Sequence, residues 1–408
     1  MTIFDKDDID YILERTRRIE KSKIRDIFTP HIPINNMNSL KGRRSEVQKL
    51  FEILTTPGQQ ALLYGERGVG KSSLAQTTAI ELTKSCNMQL FLKSCVKSDN
   101  FATVFQKPLQ HVNVDIYNLR KNEKGILGLK TSFASLAREN SNESMGEAEK
   151  SLSPAFVFDK VKDLKCLFLI DEFDAIKNIE EKAKIAEFIK LLSDYNSKFK
   201  VLIVGIADSA KELTEGHPSL TRCMKEIKLR RMSTSELAEI IKSGQKKAGL
   251  MFTSSAISKI VYVSSGYPYF THLLALKASE DAIAEERNTI TIKNIVDATQ
   301  RAAEDSEETL RNSYESSLMH RNREIYERIL LCASTCREEG FSTSDLKNKY
   351  HNIYKEHINQ ALLATIIKNI VNDDNSNILK RLYKGRYRFS DPRMPSFIKI
   401  SRAYFIDE

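Results

Sequence analysis

The residues best suited to chemistry lie in one glycine-rich segment, Gly65-Glu66-Arg67-Gly68-Val69-Gly70-Lys71-Ser72. Its glycines permit positive φ angles, so successive backbone N–H groups can turn inward around phosphate oxygens. At this spacing Lys71 reaches the β and γ phosphates of a nucleotide, and the Ser72 hydroxyl binds Mg²⁺. We therefore predict a nucleotide-binding loop from Gly65 to Ser73, with ATP and Mg²⁺ as its cofactors.

The sequence on either side supplies the elements that this loop needs. The apolar residues 61–64 predict a strand that ends at the loop, and residues 73–82 have a helical pattern. A strand, a glycine loop and a helix, in that order, form the context in which this motif binds phosphate. The helix N-terminus adds its partial positive charge beside the same phosphates.

A second set of chemical groups, Asp171 and Glu172, follows the apolar run 166–170. Such a run predicts a buried parallel strand whose carboxyl end meets the ligand. Asp171 is then placed to hold Mg²⁺ through water opposite Ser72, and Glu172 to polarise the water that attacks the γ phosphate. The alternative is a core strand followed by an acidic helix cap, because Asp174 also precedes a helical pattern.

Further strands and helices predict the domain that positions these groups. Residues 88–93 predict an outer strand, 200–207 a buried parallel strand, 226–229 a last strand and 179–197 a helix. Strands that alternate with helices predict an α/β fold, a parallel sheet with helices on both faces. Asp208 follows the strand 200–207 and is a candidate for contact with the γ phosphate, although it can equally cap the next helix.

Composition narrows the class of protein. The chain has 408 residues, which suggests two or three domains, and a formal net charge of +9, which is compatible with nucleic acid but also with scattered charges. No apolar run approaches the length of a membrane span, and the acidic N-terminus lacks the apolar core of a signal peptide. The six cysteines have no CxxC spacing, which indicates reduced thiols. We expect a cytoplasmic protein without membrane contact.

The order of patterns along the chain predicts five parts. They are an N-terminal helical extension at 1–34, the α/β domain at 35–232, a helical lid at 233–304, a linker at 305–320 and a C-terminal unit at 321–408. The lid begins at a predicted capping box, in which Ser233 and Glu236 stand at the required spacing. Within the α/β domain, residues 118–154 are rich in Lys, Asn, Glu and Ser, so we predict an insertion that is mobile or contacts a partner.

The C-terminal unit predicts three helices followed by a hairpin, the layout of a winged helix-turn-helix. The hairpin runs 378–383 and 386–389 turn at Lys384-Gly385 and carry a dense positive charge: Lys380, Arg381, Lys384, Arg386 and Arg388. Such a hairpin suits contact with the phosphates of double-stranded DNA. Winged helices also make protein contacts, and a positive hairpin can be merely solvated. All three interpretations stay open at this point.

These residues resemble the additional-strand class of P-loop ATPases, in which one strand separates the acidic strand from the phosphate loop. Within that class the chain is similar to the branch of the AAA+ initiator ATPases of origin recognition and the STAND signalling ATPases. The segment with Gly42, Arg43 and Glu46 is similar to the box that flanks the adenine in initiator-type ATPases. The resemblance makes Arg222 a candidate arginine finger toward a neighbouring subunit, with a surface arginine as the alternative. It also implies a C-terminal winged helix, whose Tyr-x-Phe-x-Asp-Pro motif stands at residues 387–392.

The chain departs from the AAA+ pattern in two places. Asp208 stands where a sensor asparagine is expected, and the predicted lid helix lacks the arginine that contacts phosphate in many AAA+ proteins. Its Gly266-Tyr267-Pro268 is instead similar to a motif of STAND ATPases. His272 on that helix is a candidate for contact with the nucleotide, although a buried or capping histidine is the commoner outcome.

Together these features predict an ATP-hydrolysing switch that couples nucleotide state to DNA binding or assembly through the winged helix. The alternative is a STAND-like signalling switch, for example in antiviral defence, whose winged helix contacts protein. A homo-oligomer or a protein partner is expected in either case. A metabolic enzyme is less consistent with the sequence, since nothing supplies a second substrate site.

Overall fold

A computed structural model describes residues 6–114, 152–207, 220–319, 322–337, 339–372 and 377–402. The predicted insertion at 118–154 lies outside these ranges except for its last three residues, and Asp208 also lies outside them. Within these ranges every helix is too short or too polar to span a lipid bilayer. All six cysteines fall within the ranges and none of them forms a disulfide.

A five-stranded parallel sheet forms the first half of the fold. Its strands are β1 (Gln60–Gly65), β2 (Gln89–Ser94), β3 (Cys166–Asp171), β4 (Phe199–Ile206) and β5 (Met224–Lys228). Their spatial order is β2-β3-β4-β1-β5, and every neighbouring pair is parallel. The order confirms β2 as an outer strand. It also confirms that one strand, β4, separates the acidic strand β3 from the loop strand β1.

Helices cover both faces of this sheet, as predicted. They are α3 (Arg44–Thr55), α4 (Lys71–Cys86), α5 (Phe101–His111), α6 (Pro154–Val161), α7 (Ile179–Asp194) and the short α8 (Leu220–Cys223). Helices α3 and α4 pack together against the sheet, and α5, α6 and α7 form a second group. Strand side chains alternate between the groups: Phe168 and Ile170 join the core of the second group, while Leu167 and Leu169 are buried outside it.

The remaining described elements are mostly helical. The N-terminal helices α1 (Lys6–Ser22) and α2 (Ile24–Ile27) pack against the predicted lid. That lid consists of α9 (Thr234–Ala248), β6 (Met251–Phe252), α10 (Ser254–Ser264), α11 (Pro268–Ala284), β7 (Thr289–Ile290) and α12 (Ile292–Glu304). Helix α9 begins at a capping box, as predicted, because Ser233 and Glu236 exchange hydrogen bonds.

The C-terminal segment, residues 308–402, begins with a helix in the predicted linker and continues with the predicted order of three helices and a hairpin, followed by one more helix. Its elements are α13 (Glu308–Ser317), α14 (Arg323–Ser334), α15 (Thr343–Tyr354), α16 (Gln360–Val371), β8 (Leu379–Tyr383), β9 (Arg386–Phe389) and α17 (Met394–Ser401). Strands β8 and β9 are antiparallel, and Phe341 pairs with Tyr387 as an additional bridge. Helix α17 fastens this segment to the lid, because the Ser396 hydroxyl donates to the Ser264 carbonyl.

Contacts divide the chain into two units. The sheet unit comprises residues 34–66 and 71–230, and the helical unit comprises residues 1–33, 67–70 and 231–408. The second set includes Arg67–Gly70, the tip of the predicted phosphate loop. The tip therefore packs as part of the helical unit, although it lies between two elements of the sheet unit in sequence.

Candidate functional site

The predicted phosphate loop starts where β1 ends and finishes where α4 begins. Gly65 closes β1 with φ 152°, and a Cβ at this position would lie 2.4 Å from the carbonyl oxygen of Leu229 on the neighbouring chain segment. Only glycine fits such a close backbone approach. The Val69 side chain is buried and Ser73 accepts a hydrogen bond from the Ile34 backbone N–H at 3.1 Å, so both anchor the loop and the helix behind it.

Lys71 at the start of α4 directs its ammonium group back into the loop. Its Nζ donates to the carbonyl oxygens of Gly65 at 3.0 Å and Glu66 at 2.7 Å, and the side chain is buried. Its positive charge also opposes the rise in the pKa of Asp171, so the ammonium group lies near that carboxylate. These contacts fix the ammonium group at the start of the loop.

Ser72 and Asp171 meet across the sheet unit, as their predicted roles require. The Ser72 side chain forms a hydrogen bond with the carboxylate of Asp171, which also accepts from the Glu172 backbone N–H at 2.8 Å. Burial raises the pKa of Asp171 above its ordinary value, and these hydrogen bonds oppose that rise. A hydroxyl beside a carboxylate is a pair of hard oxygen donors of the kind that Mg²⁺ prefers.

Glu172 follows at the carboxyl end of β3, in a left-handed backbone conformation with φ 54°. That conformation is uncommon for a non-glycine residue and turns the side chain away from the strand direction. The exposed carboxylate accepts a hydrogen bond of 2.7 Å from the Ser94 hydroxyl at the end of β2. Because β2 and β3 are parallel neighbours, their carboxyl ends bring these two side chains to one edge of the sheet.

Other candidates occupy defined positions whose proposed roles stay predictions. Arg43 is buried, pairs with Glu46 at 3.3 Å and donates to the Arg230 carbonyl at 2.8 Å. It directly follows Gly42, whose φ is 69°. Arg222 is 74% exposed and pairs with Asp194. Its exposure fits both the arginine finger and its alternative, a surface arginine, so the role stays a prediction.

His272 lies in the interior of the helical unit. Its Nδ1 accepts a hydrogen bond from the Thr29 backbone N–H at 3.1 Å, and its ring meets Phe28 edge-on. Burial lowers its pKa to about 4, so the imidazole is neutral near pH 7. The structure thus gives this histidine a buried, hydrogen-bonded position, and contact with the nucleotide stays a prediction.

Sequence reasoning missed a cluster of charged residues at the loop tip, which we call the latch: Arg67, Glu307, Asp391 and Arg393. Glu307 pairs with Arg67 at 3.2 Å and also with Arg393. Asp391 accepts from Nε of Arg393 at 3.1 Å and from Nη2 at 2.8 Å. All four belong to the helical unit, so the latch joins the loop tip to both ends of the C-terminal segment.

The latch is built around the buried side chain of Arg393, which is only 2% exposed. Its Cδ would lie 2.8 Å from a Cβ at Gly68, whose φ is 83°, so glycine is required at this point of the loop. Tyr267 lines the same position and donates its hydroxyl to the Pro392 carbonyl at 2.9 Å. Arg393 directly follows the motif at 387–392, which was the available signal for it. No sequence pattern indicated Glu307, because its partners are distant in sequence.

The basic side chains of the hairpin differ in their exposure to solvent. Lys380, Arg381 and Lys384 are exposed, whereas Arg386 and Arg388 are partly buried. Arg386 donates to the Gly340 carbonyl at 3.0 Å, which gives it a structural contact. Tyr383 at the turn is 64% exposed. Three cations and one aromatic ring therefore face outward from this hairpin.

Comparison with known proteins places this site in a family context. Residues 35–373 match the family model described as nSTAND1, Novel STAND NTPase 1, and that match covers more than half of the chain. A search of curated proteins gives no significant match. The resemblance to STAND ATPases is thereby confirmed.

Two solved structures have a similar fold. The Walker-type ATPase of Pyrococcus abyssi has a TM-score of 0.51 and 16% identity, over 91% of this chain and 99% of that one. The ORC2 protein of Aeropyrum pernix, solved as ADPNP–ADP complexes, has a TM-score of 0.51 and 13% identity, over 93% of this chain and 97% of that one. At these identities the likeness shows the fold alone, which is that of a P-loop ATPase.

Proposed function

Because the chain belongs to the novel STAND NTPase 1 family, we propose that it is a Mg²⁺-dependent ATPase that works as a molecular switch. Nucleotide binds at the loop from Gly65 to Ser73, and the C-terminal segment responds to its state. The latch is the observation that carries this proposal, since it connects the loop tip to that segment through ionic contacts.

Adenine nucleotide and Mg²⁺ fit the residues present. Backbone N–H groups of the loop and the Lys71 ammonium group supply the positive field for phosphates. Ser72 and Asp171 would hold Mg²⁺, Asp171 through a water molecule, and the ion would neutralise negative charge on the phosphates. The A. pernix ORC2 structure, which has a similar fold, was solved with ADPNP and ADP and supports an adenine nucleotide here.

Hydrolysis is assigned to Glu172. Its carboxylate is exposed at the end of β3, one residue after Asp171, where a water molecule can reach it. There the carboxylate accepts a hydrogen bond from the water that attacks the γ phosphate and withdraws its proton. Ser94 holds that carboxylate through its hydroxyl and acts as a positioning residue.

The switch follows from the charges of the latch. Arg67 lies inside the phosphate loop and forms an ion pair with Glu307, whose carboxylate also pairs with Arg393. A nucleotide brings further negative charge to the loop, which attracts Arg67 and repels Glu307. Binding and release of nucleotide then compete with the ionic contacts that hold the C-terminal segment to the loop tip.

The output surface that we propose is the basic hairpin. The exposed cations Lys380, Arg381 and Lys384 suit the phosphates of double-stranded DNA, and the exposed ring of Tyr383 suits a groove edge or a base. A protein partner is the second candidate. It is favoured by the outer side of α16, where Leu362 is 40% exposed beside Ala361 and Thr365, a poor set for reading bases.

The latch is tested by the release of ADP. We expect Glu307→Gln to slow release of a fluorescent ADP by roughly tenfold, because the change removes the carboxylate that repels the nucleotide and competes with it for Arg67, and a hydrogen bond between charged groups is worth about 1.5–3 kcal/mol. Glu308→Gln is the matched control, since Glu308 is exposed and forms no ion pair with another described residue. Equal release rates for both variants and the wild type would reject the latch as the coupling device.

ATP hydrolysis and DNA binding are tested together. We expect Glu172→Gln to bind ATP normally and to lose at least about a hundredfold in hydrolysis rate.

Duplex DNA should stimulate ATP hydrolysis by the wild type at low salt, and the stimulation should be smaller at high salt. Retention of ADP without any DNA affinity at low salt would favour the STAND-like signalling alternative.

A further inference from the structure

The side chain of Asp174 forms a contact that the proposed mechanism does not use. Its Oδ1 accepts a hydrogen bond of 2.7 Å from the backbone N–H of Ile206, the last residue of β4. Asp174 itself belongs to the short helical turn Phe173–Ala175, which directly follows Glu172 at the end of β3. The turn after the acidic strand therefore binds the end of the neighbouring strand.

Asp174 also precedes a helix, but the structure assigns the capping of that helix to another residue. Asn178 is the N-cap of α7, because its Oδ1 accepts from the backbone N–H groups of Glu180 at 2.8 Å and Glu181 at 3.3 Å. Asp174 lies four residues earlier in the chain. Helix capping therefore does not explain the position of the Asp174 carboxylate.

Within the described part of the chain, the end of β4 has no strand partner on the side of β3. The ladder between these strands ends at the pair Ile170 and Ile203, whereas β4 continues to Ile206. A backbone N–H beyond the ladder needs another acceptor, and the Asp174 carboxylate supplies one. This side chain thus continues the connection between the two strands past the end of β3.

Glu172, which directly precedes the turn, has a backbone conformation that needs support. Its φ of 54° and ψ of 37° lie in the left-handed region, which is unfavourable for a residue with a Cβ atom. Such a conformation persists where surrounding contacts hold it. Phe173 is buried in the core, and the Ala175 N–H donates to the Glu172 carbonyl at 2.9 Å. The contact between Asp174 and Ile206 connects the same turn to β4.

We propose that Asp174 is a positioning residue for ATP hydrolysis. By holding the Ile206 N–H it fixes the turn, and the turn fixes the direction in which Glu172 projects its carboxylate. The Ser94 hydroxyl restrains the same carboxylate from β2, so Glu172 is connected to both neighbours of β3. The inference rests on the proposed function, because it takes Glu172 as the group that activates water.

The contact requires a hydrogen-bond acceptor and not a negative charge, since its donor is a neutral amide. Asparagine has the shape of aspartate and can place a carbonyl oxygen where Oδ1 lies. We therefore expect Asp174→Asn to keep the contact and Asp174→Ala to lose it. A carboxylate that bound Mg²⁺ or withdrew a proton would tolerate neither change, which distinguishes a positioning role from a direct one.

ATPase kinetics of the full chain, with a separate titration of ATP binding, test the proposal. We expect Asp174→Ala to lower kcat about tenfold while the Kd for ATP changes less than about twofold, and Asp174→Asn to keep at least about half of the wild-type kcat. Asp163→Ala is the matched control, because Asp163 is exposed and precedes the other end of β3. A wild-type kcat in Asp174→Ala, or an equal loss in Asp174→Asn, would overturn the inference.

Hydrogen exchange reports the contact itself. The Ile206 amide should exchange faster in Asp174→Ala than in the wild type and in Asp174→Asn, because it loses its acceptor. The Leu202 amide in the middle of β4 should keep its protection, which shows that the variant is folded. Equal exchange of the Ile206 amide in all three proteins would show that Asp174 does not hold β4, and the inference would fail.

A second background separates this inference from the proposed function. If Glu172 activates water, Glu172→Gln lowers kcat strongly, and Asp174→Ala added to it should lower the remaining rate by less than about twofold, because both changes affect one group. A further loss of about tenfold would show that Asp174 acts by another route and would overturn its role through Glu172. A wild-type rate in Glu172→Gln would refute the proposed function, whereas a wild-type rate in Asp174→Ala alone would refute only this inference.

Discussion

The Ser94 hydroxyl donates a hydrogen bond of 2.7 Å to the carboxylate of Glu172, joining the carboxyl ends of the adjacent strands β2 and β3. The bond orients the group to which we assign water activation. We expect Ser94→Ala to lower kcat about threefold to tenfold and to leave the Kd for ATP unchanged, because the carboxylate loses its orientation but not its charge. ATPase kinetics with a separate binding titration provide the measurement. An increase in kcat would show that the bond holds Glu172 away from the water.

Lys71 provides a test of the phosphate loop. Its Nζ is held by the Gly65 and Glu66 carbonyl groups, so it is already in place for the phosphates. We expect Lys71→Ala to weaken ATP binding at least about tenfold in a fluorescence titration, because a buried cation at the phosphates is removed. Lys84→Ala, an exposed change in the last turn of the same helix, should have no effect. Equal affinity of both variants would refute the assigned site.

A comparison of alanine variants at Gly68 and Gly385 distinguishes backbone strain from contact with the latch. Gly68→Ala introduces a Cβ at φ 83° and 2.8 Å from Cδ of Arg393, whereas Gly385→Ala introduces one at φ 79° with nothing within 4 Å. Both changes carry the cost of a left-handed alanine, about 1 kcal/mol. We expect Gly68→Ala alone to accelerate ADP release, because displacement of Arg393 leaves the Glu307 carboxylate less neutralised, so that it holds Arg67 and repels the nucleotide more strongly. Similar release rates for the two variants would mean that Arg393 does not restrain the loop.

His272 makes stability depend on pH in the acidic range. Its pKa is about 4 in the folded chain and about 6.5 when unfolded, so the unfolded chain binds the extra proton between these values. Stability contributed by the neutral ring is complete above pH 6.5 and is lost as the pH falls toward 4.

At pH 5 that loss amounts to about 2 kcal/mol. We expect His272→Asn, which keeps an acceptor for the Thr29 N–H but does not titrate, to lose less stability than the wild type between pH 7 and pH 5. Melting temperatures and hydrogen exchange at the Thr29 amide measure the difference. Parallel pH profiles for the two proteins would contradict this assignment.

The exposed cations of the hairpin test DNA binding. Replacing Lys380, Arg381 and Lys384 by alanine should weaken binding to duplex DNA and reduce the slope of log K against log salt by about 0.9 for each phosphate that the hairpin no longer neutralises. Alanine at Lys242, Lys246 and Lys293, three exposed lysines of the lid, removes the same charge elsewhere. An equal decrease of affinity in both triple variants would indicate a general charge effect rather than a DNA surface on the hairpin.

Local patterns sufficed to predict most elements of the fold. The loop from Gly65 to Ser72, the acidic pair after β3 and the capping box at Ser233 depend on neighbours in the chain, and the structure has all three where they were expected. The strand order followed from the resemblance of these motifs to a known class, and β4 between β1 and β3 confirms it.

The sequence by itself therefore determined the glycine-rich loop, the acidic strand and the succession of sheet, helices and hairpin, because each depends on short-range spacing and hydrophobic period. Only the tertiary structure decided that the Ser94 hydroxyl binds the Glu172 carboxylate and that the Thr29 backbone N–H donates to His272. It also decided that Glu307 pairs with both Arg67 and Arg393 at the loop tip. These contacts join residues 78 to 243 positions apart. Ionic and hydrogen-bond partners at such distances leave no periodic pattern, because the packing of whole helices and strands brings them together.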